Sequence, residues 1–152
     1  MGLFTAINIA SSGMAAERLR GDVIANNIAN ASTTRTPEGG PFRRSEVIVR
    51  PRVDGPFWRS PFLPQGLDNG LGQGVRVVGI REDSSPNPLV YNPFHPDAIQ
   101  SGPRAGYVEM PNVDIVVEMV NMITASRAYE ANAAIIEGSK TMFQRALEIG
   151  SR

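Results

Sequence analysis

Apolar and small side chains recur with helical spacing along the first thirty residues. One stripe advances in alternating steps of four and three, with Glu17 as its one interruption: Leu3, Ile7, Ala10, Met14, Gly21, Ile24 and Ile28. A second stripe contains Ala16, Leu19 and Val23. The pattern stops at the polar run of residues 30–34, so the sequence predicts a helix over residues 3–30.

The C-terminal segment shows a more regular pattern that repeats every seven residues. Ile115, Met122, Tyr129, Ile136 and Phe143 occupy one core position, and Met119, Ser126, Ala133, Lys140 and Leu147 occupy the other. A second seam contains Ala125, Ala128, Asn132, Ile135, Ser139, Met142, Ala146 and Ile149. Asn112 is the candidate N-cap, Asp114 suits the positive helix end, and Gly150 can stop the helix. We predict a helix over residues 112–149.

The middle of the chain has a different composition from the two ends. All twelve prolines fall between Pro37 and Pro111, which excludes a long helix there. Four runs rich in β-branched or aromatic residues are strand candidates: residues 46–50, 75–80, 89–91 and 106–110. Turn-forming residues surround these runs, so we predict a small, irregular β domain.

These segments define the expected architecture. The fold class is α+β, with two long terminal helices that pair as a coiled coil and a small irregular β domain inserted between them. The predicted domains are residues 1–34, 35–111 and 112–152. Each helix carries apolar residues on more than one face, so a helix pair would leave a second stripe exposed to water.

Packing against other subunits would cover that second stripe, and this is the interpretation we favour. The alternative is a monomeric helical hairpin with a β insertion. Four asparagines lie on the predicted helices: Asn26, Asn27, Asn30 and Asn132. A buried asparagine can fix the register of packed helices, whereas an exposed one faces solvent.

Composition restricts the function classes further. The chain has 152 residues with 15 basic and 15 acidic side chains, a balance that argues against nucleic-acid binding by global charge. It has no cysteine, which excludes disulfides and thiolate metal sites. No apolar run approaches the roughly 20 residues of a membrane span. The N-terminus lacks a basic start followed by a sustained apolar stretch, so we expect no cleavable secretory signal.

Candidate chemical sites are few. Gly70, Gly72 and Gly74 precede a predicted strand, which is the wrong order for a dinucleotide-binding loop. His95 is the only histidine, and although Asp97 is close in sequence, the flanking prolines indicate a rigid turn rather than a catalytic triad. We therefore predict no catalytic, cofactor-binding or metal-binding residues, no cofactor and no small-molecule substrate.

An arginine-rich stretch over residues 35–59 carries an excess of basic over acidic side chains, with Phe57 and Trp58 among them. This composition fits a nucleic-acid-binding adaptor, which is the alternative from a different functional class. Nearly all basic residues of the chain are arginine, whose planar fork suits protein interfaces. We therefore favour protein contacts over nucleic acid.

Specific strings at both ends resemble a known family. Residues 12–16, Arg18, residues 23–30 and Thr33 resemble the N-terminal signature of bacterial flagellar rod and hook proteins. The C-terminal signature of the rod proteins is similar to residues 106–108, 111–113, 118–120, 122–123, 125–132, Lys140 and residues 146–150. Residues 90–98 resemble the block that marks a proximal rod subunit. Residues 99–105 and 43–64 depart from the family pattern.

The resemblance implies a structural subunit of the flagellar proximal rod, the axial drive shaft, with another axial rod subunit of the family as the alternative. It implies a core of packed terminal helices, and partners that are other rod proteins and further copies of this chain. It also implies location in the basal-body rod that crosses the periplasm, and passage through the flagellar export apparatus without a cleaved signal. No nucleic acid and no membrane insertion are expected.

We expect the assembly interface to lie on the two terminal helices. The residues predicted for it are Leu3, Ile7, Met14, Ile24, Asn27, Ile28, Ile115, Met119, Met122, Tyr129, Ile136, Gly138, Phe143 and Leu147.

Overall fold

A computed structural model describes residues 3–52 and 73–150 of the chain. The elements in chain order are α1 (Leu3–Ala29), β1 (Ser45–Pro51), β2 (Val75–Glu82), β3 (Leu89–Tyr91), β4 (Tyr107–Glu109) and α2 (Ile115–Gly150). The fold is α+β, with two long helices and two small sheets that lie between them in the chain. Both predicted helices and all four predicted strands are confirmed, with bounds that differ by at most three residues.

Local hydrogen bonds explain where α1 ends. The Asn30 backbone N–H still donates to Asn26 O at 3.1 Å, and the Asn30 side-chain amide donates to the same oxygen at 3.0 Å. The Thr33 hydroxyl then donates to Asn30 Oδ1 at 3.2 Å. Short polar side chains therefore satisfy the last turn, as the polar run at residues 30–34 predicts.

The start of α2 differs from the prediction in its capping residue. Asp114 Oδ1 accepts the backbone N–H groups of Val116 (2.9 Å) and Val117 (3.2 Å), which makes Asp114 the N-cap. The predicted cap, Asn112, is wrong because its Oδ1 accepts the backbone N–H of Arg44 at 2.8 Å. Gly150 is the last helical residue and does not have a positive φ, so it is not a left-handed stop.

The strands form two separate two-stranded sheets, β1 with β2 and β3 with β4. β3 and β4 pair antiparallel, with Val90 opposite Val108 and Tyr91 opposite Tyr107. The two tyrosine rings meet edge to face, with centroids 5.2 Å apart. Gly106 precedes β4 with φ +84, and a Cβ there would lie 2.9 Å from the Tyr91 ring, so both backbone and space require glycine.

The chain divides into two compact units, which we describe separately. The first unit consists of Met1–Arg18, Ile48–Gly79 and Ser126–Arg152. Within it α1 and α2 run antiparallel, because Phe4 lies against Phe143 (ring centroids 6.3 Å apart) and Gly13 lies against Asn132. A Cβ at Gly13 would lie 2.9 Å from Asn132 Nδ2, so this approach of the helices is tight.

The first unit also joins β2 to α1 through one hydroxyl group. The Val75 backbone N–H donates to Ser12 Oγ at 3.1 Å, and that hydroxyl donates to Ile9 O at 2.7 Å. Gly74, with φ +104, lies directly against Ser12, where any Cβ would overlap the hydroxyl. Glycine is therefore required at position 74 both by the backbone conformation of the turn and by the close contact with Ser12. The other two glycines of this stretch, Gly70 and Gly72, lie outside the described residues.

The second unit consists of Leu19–Val47 and Ile80–Ala125. Here α1 and α2 again run antiparallel: Gly21 is in van der Waals reach of Met122 Sδ, and Asn27 bonds Glu118 at 3.0 Å. The β3–β4 sheet belongs to this unit, and Val108 is buried in it at 2% exposure.

The buried positions of α2 belong to the second predicted seam rather than the first. Glu118, Ala125 and Ser139 are buried and Asn132 is half-buried, so the inward row recurs every seven residues and includes Ala125, Asn132 and Ser139 of the second seam. Met119 and Leu147 of the first seam lie one place later and are exposed. The remaining large members of the second seam, Ile135, Met142 and Ile149, are exposed, and so is Ala146.

Candidate assembly site

The N-terminal half of α2 presents an apolar surface to solvent. We call Val116, Met119, Val120 and Ile123 the outer face of α2. They are spaced three and four residues apart on one side of the helix and are 54–70% exposed. Isolated exposed apolar residues are ordinary, but four on one helical face form a contiguous patch of the kind that marks a protein contact.

A second exposed stripe lies near the C-terminal end of the same helix. Ile135, Met142 and Ile149, which we call the C-terminal stripe, recur every seven residues and are 50–79% exposed. Gly138 lies between the first two on this side of the helix, and, apart from its chain neighbours and the nearby helix backbone, no atom of the described residues lies within 4 Å of where its Cβ would be. The glycine therefore has no packing role against the described part of its own chain.

A polar cluster in the second unit joins both helices to β1. It consists of Asn27, Arg44, Asn112 and Glu118. Asn27 Nδ2 donates to Glu118 Oε2 (3.0 Å) and to Ser45 O (2.9 Å), while the Ser45 N–H donates back to Asn27 Oδ1 at 2.9 Å. Asn27 therefore exchanges two hydrogen bonds with the Ser45 backbone in β1 and donates another to Glu118 in α2.

The carboxylate of Glu118 is the centre of this cluster and is fully buried. Arg44 Nε donates to Glu118 Oε1 at 2.9 Å, and the Asn121 amide lies 3.4 Å from the same oxygen. A buried charge is tolerated only when it is paired and hydrogen-bonded, and both oxygens of Glu118 have partners. The cluster fixes the register of α1 against α2 within this unit, the role that a buried asparagine can have in packed helices.

Asp83 borders the cluster from the residues that follow β2. Its Oδ1 accepts the hydroxyl of Ser85 at 2.6 Å and the Ser85 backbone N–H at 2.9 Å. These hydrogen bonds, and then the charges of Arg44 and Arg81, hold the pKa of Asp83 below its ordinary value. Asp83 therefore stays ionised beside the Arg44 guanidinium, 4.0 Å away.

The predicted interface residues fall into three groups in the structure. Ile24 and Asn27 are buried within the chain, and Ile7, Met14, Ile28, Met122 and Ile136 are half-buried. Ile115, Met119, Tyr129, Gly138, Phe143 and Leu147 are exposed. The side chain of Leu3 lies outside the described part. The structure thus places the first two groups in or near the helix pair and leaves the third accessible.

Two parts of the site were not identified by the sequence pattern. Glu118 and Arg44 appeared only as members of a motif and of a basic stretch, although a glutamate in phase with Ala125 could have indicated a buried carboxylate. Val116, Val120 and Ile123 were not in either predicted seam. Arg35 and Arg44, from the arginine-rich stretch, pair with Asp97 (2.9 Å) and Glu118, whereas Phe57 and Trp58 lie outside the described residues.

Other candidate chemistry has a local explanation. His95 Nδ1 accepts the Asp97 backbone N–H at 3.1 Å, as part of the turn that follows β3. Within residues 3–52 and 73–150, no group of three or more His, Cys, Asp or Glu side chains is placed to hold a metal ion. None of the helices in the described ranges has the length and apolarity that a membrane crossing requires.

Comparison with known proteins decides the family. Residues 7–35 match the family described as "Flagella basal body rod protein", and residues 104–149 match "Flagellar basal body rod FlgEFG protein C-terminal". A flagellar basal-body rod protein FlgC from Borreliella burgdorferi is 62% identical over 149 residues, which cover 98% of both chains. The chain belongs to the FlgC family of flagellar basal-body rod proteins.

More distant FlgC proteins match over the whole length as well. The FlgC of Bacillus subtilis is 39% identical and that of Salmonella typhimurium 37% identical, each over 99% of both chains. The predicted resemblance is confirmed, and this FlgC-family chain is a structural component of the flagellar basal-body rod. The matched ranges include nearly all of α1 and α2, which carry the polar cluster residues Asn27 and Glu118 and both exposed surfaces of α2.

Proposed function

We propose that the chain is a subunit of the proximal rod, and that it assembles with further copies of itself and with other rod proteins through the exposed surfaces of its terminal helices. The observation that supports this proposal is the amount of apolar surface that α2 leaves uncovered. The outer face and the C-terminal stripe together contain seven large apolar residues that are at least half exposed. In a helical assembly, this surface becomes the contact between subunits, and stiff helix packing transmits torque.

In this proposal, some of the predicted interface residues act within the subunit and others contact neighbouring subunits. Ile24 and Asn27 act inside the subunit, where they hold the helix pair in register. Met119, Tyr129, Phe143 and Leu147 are accessible and would contact neighbours. We propose that Val116, Val120 and Ile123 belong to the same interface, because they share the exposed side of α2 with Met119.

Gly138 has a specific role in this proposal. Glycine inside a helix costs about 1 kcal/mol relative to alanine, and no described residue of the same chain occupies the space beside Gly138. A neighbouring subunit that approaches this point closely would explain the glycine. Gly138→Leu should therefore raise the helicity of an isolated 112–152 peptide, measured by circular dichroism, and lower incorporation of the full chain into rods. More helix together with normal incorporation would contradict the close contact.

The location and route of the chain follow from the same proposal. The subunit passes through the flagellar export apparatus without loss of an N-terminal signal and takes its place in the rod that crosses the periplasm. It needs no nucleic acid, membrane insertion or small-molecule substrate for this role.

The experiment is deletion of the gene followed by complementation, with purification of basal bodies. Cells without the chain should lack rods and motility, and the wild-type gene should restore both. Mass spectrometry of purified basal bodies should detect the chain with its first residues intact. Basal bodies that contain complete rods but none of this chain would contradict the proposal.

A further inference from the structure

The turn after β3 holds a phenylalanine almost entirely in solvent. Phe94 is 96% exposed and lies between Pro93 and Pro96. Tyr91, at the end of β3, is 66% exposed. A large aromatic side chain in this position gains nothing within its own chain, because water surrounds nearly all of it.

The backbone that carries Phe94 is held in one conformation. Asn92 N–H donates to Gly106 O at 2.9 Å, His95 N–H to Asn92 O at 3.2 Å, and Ala98 N–H to His95 O at 3.0 Å. Asp97 fixes the far side of the turn by accepting the Thr34 hydroxyl at 2.8 Å and pairing with Arg35 at 2.9 Å. An aromatic side chain on a rigid turn loses little conformational entropy on binding, which is typical of an interface anchor.

The same unit contains a groove of the size to receive one such side chain. It has a volume of about 370 Å³ and is lined by Arg20, Val23, Ile24, Arg44, Ser45, Glu46, Val47, Asn121 and Thr124. This volume is at the small end of the roughly 300–1,000 Å³ found for ligand pockets, so the groove suits a single large side chain. It is open in the isolated chain, and Phe94 of the same chain does not fill it.

The lining of the groove complements an aromatic ring. Its lining includes the apolar residues Val23, Ile24 and Val47, which keep 5–9% of their surface exposed, and the two arginines Arg20 and Arg44. Positive guanidinium groups are attracted to the negative face of an aromatic ring. The Arg44 group is already oriented by its 2.9 Å bond to Glu118, so it needs no further ordering to take part.

We propose that Phe94 of one copy of this chain inserts into the groove between α1, β1 and α2 of a second copy. The anchor and the groove are different surfaces of one chain, so the contact is heterologous and leaves a free anchor and a free groove at the two ends of any series. Contacts of this type generate rings or open helices, as a rod requires. The inference rests on the proposed function, because it assumes that copies meet in an assembly.

The test uses the absence of native cysteine in the chain. Asn92→Cys places a thiol beside the anchor, and Thr124→Cys places one on the groove of a second copy. Mild oxidation of rods purified from cells that express both variants should yield a disulfide-linked dimer. Because each chain carries one thiol, the mixed dimer must join two copies. Ser84→Cys, an exposed position in the same unit, replaces Asn92→Cys as the matched control and should give little dimer.

Variants of the anchor complete the experiment. Phe94→Ala in the Asn92→Cys chain should lower the dimer yield at least about tenfold, whereas Phe94→Tyr should retain it. Equal yields with Asn92→Cys and Ser84→Cys, with both chains present in rods, would overturn the inference and leave the rod function intact. A cross-link from Asn92→Cys to a different rod protein that carries an engineered cysteine, with no dimer to the Thr124→Cys chain, would overturn it as well.

A second measurement, on purified chains, tests the inference when the variants do not assemble into rods. The purified Asn92→Cys and Thr124→Cys chains are mixed at high concentration under mild oxidation, and the mixed dimer should exceed that of the Ser84→Cys mixture. An equal yield would overturn the inference. Absence of the wild-type chain from rods would instead contradict the proposed function, whatever the purified mixture shows.

Discussion

Glu118 is a fully buried residue of α2 that bonds α1 in the second unit. Glu118→Ala removes a fully buried carboxylate and leaves the Arg44 guanidinium without its partner. Loss of one member of a buried pair costs roughly 3–5 kcal/mol. Because the Arg44 side chain keeps 23% exposure, we expect the lower end of that range as the loss in free energy of unfolding, measured by urea denaturation of the purified chain.

A second ion pair, which is exposed, provides a matched control for Glu118→Ala. Glu46 and Arg81 lie 3.5 Å apart with side chains 53% and 68% exposed. Glu46→Ala should change the free energy of unfolding by no more than about 0–1 kcal/mol, because water screens an exposed pair. Equal losses from Glu46→Ala and Glu118→Ala would show that burial of the carboxylate is unimportant.

Two glycines in the helices should respond differently to the same substitution. Alanine gains about 1 kcal/mol over glycine in a helix interior. Gly138→Ala should realise this gain, because its Cβ enters open space. At Gly13 the new Cβ would meet the Asn132 amide, which would have to move away from Ala128 O, its acceptor at 3.0 Å. Thermal unfolding should therefore rank Gly138→Ala above Gly13→Ala in stability.

A double substitution separates the two effects at Gly13. Asn132→Ala removes the side chain that the new Cβ would meet, so Gly13→Ala should be more favourable in that background than in the wild type. A Gly13→Ala effect that is independent of residue 132 would refute the close contact.

At the residue scale, the sequence identified Asn27 as a possible register-fixing residue but not its partners. The asparagine stands out because polar residues are unusual among alanines on a helical stripe. Glu118 and Arg44 do not stand out, because glutamate and arginine are common on exposed helix and strand positions. The second predicted seam begins at Ala125, and only the structure shows that the same inward row continues one heptad earlier to Glu118.

At the scale of elements, the two sides of α2 should tolerate charge differently. Val120 is 58% exposed on the outer face, so Val120→Glu should leave the stability of the purified chain nearly unchanged and prevent incorporation into rods. Ala125 is 3% exposed, so Ala125→Glu should unfold the helix pair by burying an unpaired charge. Circular dichroism and recovery from basal bodies measure the two effects.

Incorporation of Val120→Glu into rods would exclude the outer face from the assembly interface. Normal incorporation of Val120→Glu, at wild-type stability, would show that the N-terminal half of α2 faces solvent in the rod. The interface would then have to lie elsewhere, and the C-terminal stripe is the next surface to test, by Met142→Glu.

The positions of helices and strands could be predicted because periodicity and β-branched runs are local signals. The N-cap residue of α2 could not be predicted from such local signals. Asn112 and Asp114 are both good capping residues, and the choice between them depends on Arg44, sixty-eight residues earlier, whose backbone N–H occupies the Asn112 side chain. A tertiary contact therefore decides a local feature.

At the scale of the whole molecule, the exposed apolar surface predicts that helix content depends on assembly. α1 and α2 contain 27 and 36 residues, and the described residues leave the outer face and the C-terminal stripe of α2 exposed, together with Phe4 of α1. In dilute solution the helix ends should fray, so circular dichroism should report fewer helical residues than these lengths. Helicity should rise with protein concentration or on addition of rod partners.

A dilute chain with full helicity and resistance to proteases would contradict this expectation. It would favour the closed helical hairpin as a stable monomer, with the apolar surface of α2 as an inert feature. The comparison should use identical buffers, because ionic strength changes exposed ion pairs such as Glu46 with Arg81.

The polar cluster also sets the order in which the chain can fold. Asn27 and Glu118 are separated by 91 residues, and Arg44 and Glu118 by 74. Contacts between such distant residues close large loops and form late. When the chain leaves a ribosome, all residues of α1 have emerged long before Glu118 arrives. The polar cluster can therefore fix the register of the helix pair in the second unit only after Glu118 has emerged.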